Sequence, residues 1–351
     1  MIDKKELQDF IETHWESGIA VPIIKHLALE SLSLQKAYFI IDTKCLENLP
    51  SDNQVNITVC AMPLNVFKDI NAFLIRINNS LKANAIFIAR VTTLENRSYA
   101  LQKMRIKCFR KLIHSCDFIF KRVLPSLPPF SYSYKINKLA THRLISKCEA
   151  LGRLRYCGFD IEFIKETNNY LYIIAFKSAT HIIAKPLEGI IIKVPKIGKG
   201  GRTIYCYKLR TMHAYANLLH DFILKNLKID NEGKVVDDFR MTGWGKFLRK
   251  TWLDEMPQLI NIIKGDLSIV GLRPLSWEFL SLYPEEWRKE RNKYKPGFVP
   301  PYYVDCPKTF DEIIESEKKY CVAKNVHPVK TDVIYFIKAA LNFIKGNART
   351  G

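Results

Sequence analysis

From Thr242 to Ser276 the chain reads TGWGKFLRKTWLDEMPQLINIIKGDLSIVGLRPLS, a stretch dense in groups that can handle phosphate. Asp254 and Glu255 stand side by side, with Arg249 and Lys250 just upstream and Arg273 downstream. Pro257 suits the first turn of a helix, where its missing N–H would be unpaired anyway; Leu259, Ile260, Ile262 and Ile263 follow, and Gly265 supplies a stop. The pattern predicts a short apolar helix with two carboxylates on its N-terminal edge, then a small strand from Leu267 to Val270. The helix dipole and the nearby cations both favour ionised carboxylates at neutral pH. An ionised carboxylate can attack phosphorus or help hold a metal. The same residues also fit a structural reading, in which Thr251 caps the helix at a capping-box spacing from Asp254 and Arg249 is a solvated ion-pair partner. Residue type and spacing leave both readings open.

The run KFLRKTWLDEMPQLINIIKGDLSIVGLRP resembles the signature of the bacterial sugar transferase family, the monotopic phosphoglycosyl transferases that start glycan assembly on a polyprenol phosphate. Upstream, IGKGGRTIYCYKLRTM (197–212) is similar to that family's glycine turn and Lys-Phe-Arg-Thr-Met block, with Leu209 in place of the phenylalanine. Together the two cover roughly residues 186 to 300. The resemblance implies that Asp254 is the nucleophile toward a nucleotide diphosphate sugar, giving a covalent phosphosugar enzyme, and that Glu255 helps hold Mg2+. It further implies that Arg249 and Arg273 bind phosphate, since a planar guanidinium grips two oxygens at once. Lys208, Arg210 and Asp266 match further family motif positions. The acceptor it implies is a polyprenol phosphate or similar lipid.

The elements that must position these groups are spread over 351 residues, enough for two domains that each bury a core. The fold class expected is α/β: a helical segment over 1–35, a partial Rossmann-like, methyltransferase-like sheet over 36–177, and an α+β sugar transferase domain over 178–351. Leu7, Phe10, Ile11, Ile23, Ile24, Leu27 and Leu32 mark buried faces of two N-terminal helices, interrupted near Gly18 and Pro22. AYFIID, VNITVCAM and NAIFIARVTT, with a helical stretch before the third, suggest a parallel sheet. The pair FDIEFIKE and NYLYIIAFK reads as antiparallel strands closing it. The order of elements resembles the C-terminal half of a class I methyltransferase, which raises the alternative of an S-adenosylmethionine enzyme. Such a site needs a glycine turn after the first strand, and Gly18 is the only glycine before Gly152. An inactive module is therefore expected.

The net charge of +19 calls for an acidic partner, yet no zinc finger, basic zipper or aromatic RNA-binding motif is present, which excludes the usual nucleic-acid modules. Phosphorylated substrates and an anionic membrane surface remain. Nine cysteines without a Cys-x-x-Cys pair suit reduced thiols in a cytoplasm. No apolar run reaches the roughly 18 residues of a spanning helix, and no signal peptide is read. Residues 102–124 alternate cations with Met104, Ile106, Phe109, Leu112, Ile113 and Phe118, a basic amphipathic pattern suited to an interfacial helix or to packing on its own domain. Peripheral placement on the inner face of the cell membrane is expected.

Two departures from the family bear on function. Where the family has a long apolar segment with a proline that enters one leaflet and returns, SATHIIAKPLEGIIIKVPKIG offers two short strand-like runs. After Lys295 the glycine-rich stretch becomes KPGFVPPYYVDCPKT. The first departure favours a non-catalytic scaffold as the rival to an active enzyme. Residues 213–240 read as a helix with Leu218, Leu219, Phe222, Ile223 and Leu227 on its apolar side. Residues 309–346 read as an exposed acidic helix around DEIIESEKKY, then an amphipathic helix whose Val333, Ile334, Phe336, Ile337, Leu341 and Phe343 are expected to close the core.

Overall fold

A computed structural model describes residues 4–29, 37–50, 53–102, 113, 116, 144–178, 186, 189–226 and 238–345. Most of the basic stretch 102–124 lies outside the described residues. The chain divides into two units, Met1–Leu187 with His213–Arg240, and Glu188–Met212 with Met241–Gly351.

The first unit is built on a five-stranded sheet in the order β1-β2-β3-β5-β4. Its strands are β1 (Ala37–Ile40), β2 (Val55–Pro63), β3 (Leu81–Val91), β4 (Phe159–Glu166) and β5 (Leu171–Lys177). The first three run parallel, and β5 runs antiparallel to both β3 and β4. The strands read as near-continuous apolar runs because helices cover both faces. On one face Ile57, Val59, Ile86, Ile88, Tyr172 and Ile174 pack with Leu7, Ile11, Trp15 and Ile23, carried by α1 (Lys4–His14), α2 (Ala20–Leu29) and their linker. The described residues 4–29 of the stretch 1–35, read as a segment of its own, thus supply a layer of this unit. After β2 comes α3 (Ile70–Ser80), which starts at Asp69, whose carboxylate accepts from the N–H of Ala72 at 2.9 Å, and which buries Phe73, Leu74 and Ile77. Two further helices follow, α4 (Leu94–Gln102) and α5 (Lys147–Tyr156).

Residues 213–240, read from sequence as part of the C-terminal domain, pack in this first unit. Their described residues form a 3-10 turn (Ala216–Leu219) and a short α6 (His220–Asn226), with Leu218, Leu219 and Ile223 buried. The segment is fastened by Tyr215, which is buried in a left-handed conformation, φ 66°. Its hydroxyl accepts from Asn71 Nδ2 at 2.8 Å and from Arg153 Nη1 at 3.2 Å, and the Arg153 guanidinium lies 4.6 Å from its ring centroid. Arg153 is itself paired with buried Glu149 at 2.8 Å. Gly152 makes room: a Cβ there would stand 2.4 Å from Tyr215 Cβ and 2.7 Å from its carbonyl oxygen. Gly152→Ala is therefore expected to destabilise this unit by about 1–3 kcal/mol, the usual cost of overpacking, read as a lowered midpoint in urea.

The second unit opens with an antiparallel hairpin of β6 (Ile191–Ile197) and β7 (Thr203–Leu209). It continues through α7 (Gly243–Lys250), a 3-10 segment (Leu253–Gln258), α8 (Leu259–Ile263), β8 (Ser268–Val270), α9 (Trp277–Leu280) and α10 (Glu285–Arg291). Then come β9 (Gly297–Val299), parallel to β8, and α11 (Tyr302–Asp305), α12 (Phe310–Val326) and α13 (Pro328–Ile344). Val270, Leu272, Leu275, Tyr283, Val299, Tyr303, Ile314 and Tyr320 form its core.

Both C-terminal helices differ from expectation. Acidic α12 is not simply exposed: it buries Ile314, Glu317, Tyr320 and Cys321. In α13 the core side is Thr331, Tyr335 and Ala339, while Val333, Ile337 and Leu341 stay about half exposed at 52%, 53% and 49%. The apolar stripe thus does not close the core. On the buried side the Tyr335 ring lies 5.0 Å from that of Tyr320 in α12, and the larger aliphatic side chains fall on the other face.

Candidate active site

The site is built on the β6–β7 hairpin. Pairing sets Val194 opposite Cys206, Ile192 opposite Lys208 and Lys196 opposite Ile204, so Lys196, Cys206 and Lys208 share one face. Against β7 lies the turn carrying the two carboxylates. Asn261, fully buried in α8, clamps it: its side chain accepts from the N–H of Tyr207 at 2.9 Å and donates to the carbonyl of Tyr205 at 2.7 Å. A side-chain amide thereby completes the unpaired edge of β7 and fixes the helix to the strand.

The turn itself is not a capped α-helix. Thr251 is the C-cap of α7, its hydroxyl donating back to the carbonyls of Phe247 and Leu248 at 2.9 and 3.2 Å, and it does not cap the segment that follows. Trp252 enters the 3-10 segment with φ 62°, a conformation costly for a bulky residue, and its ring packs 4.1 Å from that of Tyr303 and 4.7 Å from that of Phe343. Pro257 sits inside the 3-10 segment, and the α-helical part is only Leu259–Ile263.

A cleft in this unit is lined by Lys196, Lys208, Glu255, Gln258, Arg273 and Tyr302, among others. Lys208 Nζ donates to Glu255 Oε1 at 2.6 Å. Arg273 donates to the Tyr302 hydroxyl, and its backbone carbonyl accepts from Arg291. Arg291 in turn forms a buried pair with Glu317 at 3.0 Å. The loop bearing the Arg273 guanidinium is thus held from behind by an ion pair in the core.

The two carboxylates are not alike. Burial, with help from the neighbouring Glu255 charge, pushes the Asp254 carboxyl above its ordinary value, and Lys208 and Arg249 only partly oppose this. Burial also works to raise Glu255, but the charge and hydrogen bond of Lys208, with Arg273, outweigh it and hold Glu255 below its usual range. Cations thus hold down Glu255 alone, while Asp254 is raised because it has lost more water than its cations replace. Lys196 is lowered by burial and by repulsion from Lys208 and Arg273. Three cations crowded around one carboxylate leave an excess of positive charge suited to a polyanion.

The residues singled out in sequence fall into three groups. Lys208, Glu255 and Arg273 meet in the cleft. Asp254 and Arg249 adjoin it: Asp254 is buried beside Glu255 and feels the charges of Lys208 and Arg249, and Arg249 Nε donates to Thr211 Oγ1 at 3.0 Å. Arg210 and Asp266 do not line it. Arg210 binds the carbonyls of Gly189 and Met212, at 2.6 and 2.9 Å, and Asp266 pairs with Arg202 at 3.3 Å, so both secure the ends of the hairpin. Sequence reasoning missed Lys196, Asn261, Tyr302 and the Arg291–Glu317 pair. Period-two alternation along IIIKVPKI would have set Lys196 on the face of Ile192 and Val194; its meeting with Lys208 depends on hairpin register.

As a magnesium site the donors are sparse. Among the described residues no group of three or more His, Cys, Asp or Glu side chains is placed to hold a metal. Magnesium usually takes one or two carboxylates, several waters and substrate phosphates, so Glu255 with Asp254 beside it fits an ion that arrives on a diphosphate.

A family model described as bacterial sugar transferase matches residues 162–346, more than half of the chain. The chain belongs to the bacterial sugar transferase family. It is 35% identical over 191 residues to the galactosyl transferase CpsE of Streptococcus agalactiae, a match covering 53% of this chain and 39% of that protein. It is 36% identical over 96 residues to the undecaprenyl-phosphate galactose phosphotransferase of Salmonella typhimurium, covering 26% of this chain and 20% of that one. A third relative, the exopolysaccharide production protein ExoY of Sinorhizobium fredii, is 44% identical over 93 residues, covering 25% of this chain and 41% of its own length. The chain thus spans less than half the length of each of these relatives. The solved CurJ carbon methyltransferase, at 13% identity and a TM-score of 0.23 over 37% of this chain and 31% of its own, is too distant to bear on the fold.

Proposed function

We propose that this chain is a phosphoglycosyl transferase that moves a sugar 1-phosphate from a nucleotide diphosphate sugar to a polyprenol-phosphate-type acceptor in polysaccharide synthesis. The observation that carries this reading is the convergence of Lys196, Lys208 and Arg273 around Glu255, with Asp254 adjoining. Asp254 attacks the sugar-bearing phosphorus, the bond to the nucleoside monophosphate breaks, and the product is an aspartyl phosphosugar. The acceptor phosphate then attacks the same phosphorus and frees the carboxylate. Burial that raises the carboxyl's pKa also makes it the more basic nucleophile. The cations offset charge on the diphosphate and on the leaving nucleotide. When Mg2+ is bound with the diphosphate, beside Glu255, it supplies further neutralisation of that charge. The names of the Salmonella and Streptococcus relatives support a galactose-type sugar and a polyprenyl acceptor as starting substrates.

The test is to incubate purified protein with labelled UDP-galactose and related donors, with and without Mg2+, and look for a covalent sugar phosphate adduct by mass spectrometry. An adduct on Asp254 supports the reading; release of nucleotide without any adduct under quenching overturns the two-step route. Arg273→Lys is expected to raise the donor KM about tenfold or more, because a point cation cannot keep two phosphate oxygens and Tyr302 at once. An unchanged KM would move Arg273 out of the site.

One observation favours a scaffold without turnover. Just before β7, where the family's lipid-entering segment is expected, the described residues form only the short strand Ile191–Ile197. Among the described residues no helix is long and apolar enough to cross a membrane. On the active reading, we place the lipid contact at the surface, on the inner face of the membrane. The exposed Val333, Ile337 and Leu341 of α13 support this, and residues 103–122 add cations. The first unit we take as an inactive Rossmann-like, methyltransferase-like module, since no glycine follows β1 before Gly152. Absence of any adduct and of nucleotide release would favour the scaffold.

A further inference from the structure

A second cleft in the transferase unit opens beside the cationic one and shares Lys196, Arg273, Pro274 and Tyr302 with it. Beyond that neck the lining turns apolar and aromatic, with Leu275, Phe279, Tyr283 and Ile313. Phe279 is 41% exposed although it belongs to an aromatic cluster. T-shaped contacts hold it, at 6.1 Å from Tyr283 and 5.9 Å from Phe310, with neither ring stacked on it. An exposed aromatic ring, fixed by its neighbours and next to a concentration of positive charge, is a platform for a planar group tethered to phosphates.

We propose that this cleft takes the nucleoside of the donor, its base stacked on Phe279, while Lys196 and Arg273 at the neck hold the diphosphate. The assignment rests on the transferase reading above and extends it from phosphate to base. The other occupant to weigh is the hydrocarbon of the lipid acceptor. Glu317, paired with Arg291 and only 1% exposed, also lines this cleft, so its inner end meets an ion pair. A compact planar base tolerates such a stop, whereas a long prenyl chain needs an apolar path that continues outward. Stacking depends little on base identity, so recognition here is of an aromatic base joined to a diphosphate, with modest preference among bases.

The test compares binding of UDP, inorganic pyrophosphate and a short-chain prenyl phosphate to wild type, Phe279→Ala and Phe279→Leu, by calorimetry. Phe279→Leu keeps apolar volume beside Tyr283 and Phe310 and guards against loss of fold, checked by thermal melting. Both variants are expected to weaken UDP about tenfold or more and to leave pyrophosphate binding unchanged, as loss of one stacked base predicts. Equal UDP affinity in wild type and a folded variant would overturn the proposal. Weakened prenyl phosphate binding with UDP unaffected would overturn it and give the cleft to the lipid. If wild type binds pyrophosphate but UDP no more tightly, the base has no site here although the phosphate site stands. If wild type binds none of the three, the transferase reading fails and this proposal with it.

Discussion

Asp254→Asn is expected to reduce sugar phosphate transfer on the order of 10³-fold or more and to abolish the covalent adduct, while the protein stays folded. The amide has nearly the same shape but is a poor nucleophile toward phosphorus and a poor leaving group in the second step, so both halves of the reaction are lost together. The fold is expected to tolerate the change for an electrostatic reason. Burial and the Glu255 charge push the Asp254 carboxyl above its ordinary value, which means that the ionised form is disfavoured in the folded state. Replacing it by a neutral group removes that penalty, so the melting temperature of the variant should equal or exceed that of wild type. Turnover is measured with labelled donor and the adduct by intact-mass spectrometry. Wild-type turnover in the Asn variant would remove Asp254 from the chemistry, and a large fall in melting temperature would show that its charge is structural.

Local pattern made much of this chain legible, and register made the rest invisible. Strands β1 to β3 and the reversed pair β4–β5 were readable because each is a dense apolar run bounded by turns, and α3 because its stretch is helical in pattern, although its start at Asp69 was not read. The carboxylate pair was readable from its motif. The opposite electrostatics of Asp254 and Glu255 were not legible, since they come from the burial of Asp254 and from Lys208 reaching Glu255 across 47 residues of sequence. Arg210 and Asp266 sit in the same motifs as the cleft residues but serve the hairpin ends, a distinction that only side-chain direction makes. Residues 213–240 carry an ordinary amphipathic pattern, and nothing in that pattern names Asn71 and Arg153 as the partners of Tyr215. In α13 the hydrophobic stripe was read correctly as a stripe and assigned to the wrong side. Tyr335 and Ala339 pack inward, Tyr335 against Tyr320, while Val333, Ile337 and Leu341 lie outward. Amphipathicity shows that a helix has an apolar face without showing what that face meets.

Glu317→Ala is expected to cost about 3–5 kcal/mol, the largest stability effect predicted for the transferase unit, because it strands a buried guanidinium. Arg291 is 4% exposed; it would lose its carboxylate partner, and Trp287 Nε1 would lose an acceptor at 3.2 Å. The consequence should reach the site, since the same guanidinium donates to the carbonyl of Arg273 and so helps aim the Arg273 side chain toward the cleft. A double variant separates the two effects. Arg291→Met with Glu317→Leu replaces the ion pair by apolar groups of similar bulk, a change that often recovers stability in buried pairs. The double variant is therefore expected to melt near wild type, yet to keep a donor KM raised several-fold, because no donor remains for the Arg273 carbonyl and the loop is free to turn its guanidinium away from phosphate. Recovery of both melting temperature and KM would show that the Arg291–Glu317 pair stabilises the fold without positioning Arg273; recovery of the melting temperature alone would assign it the positioning role.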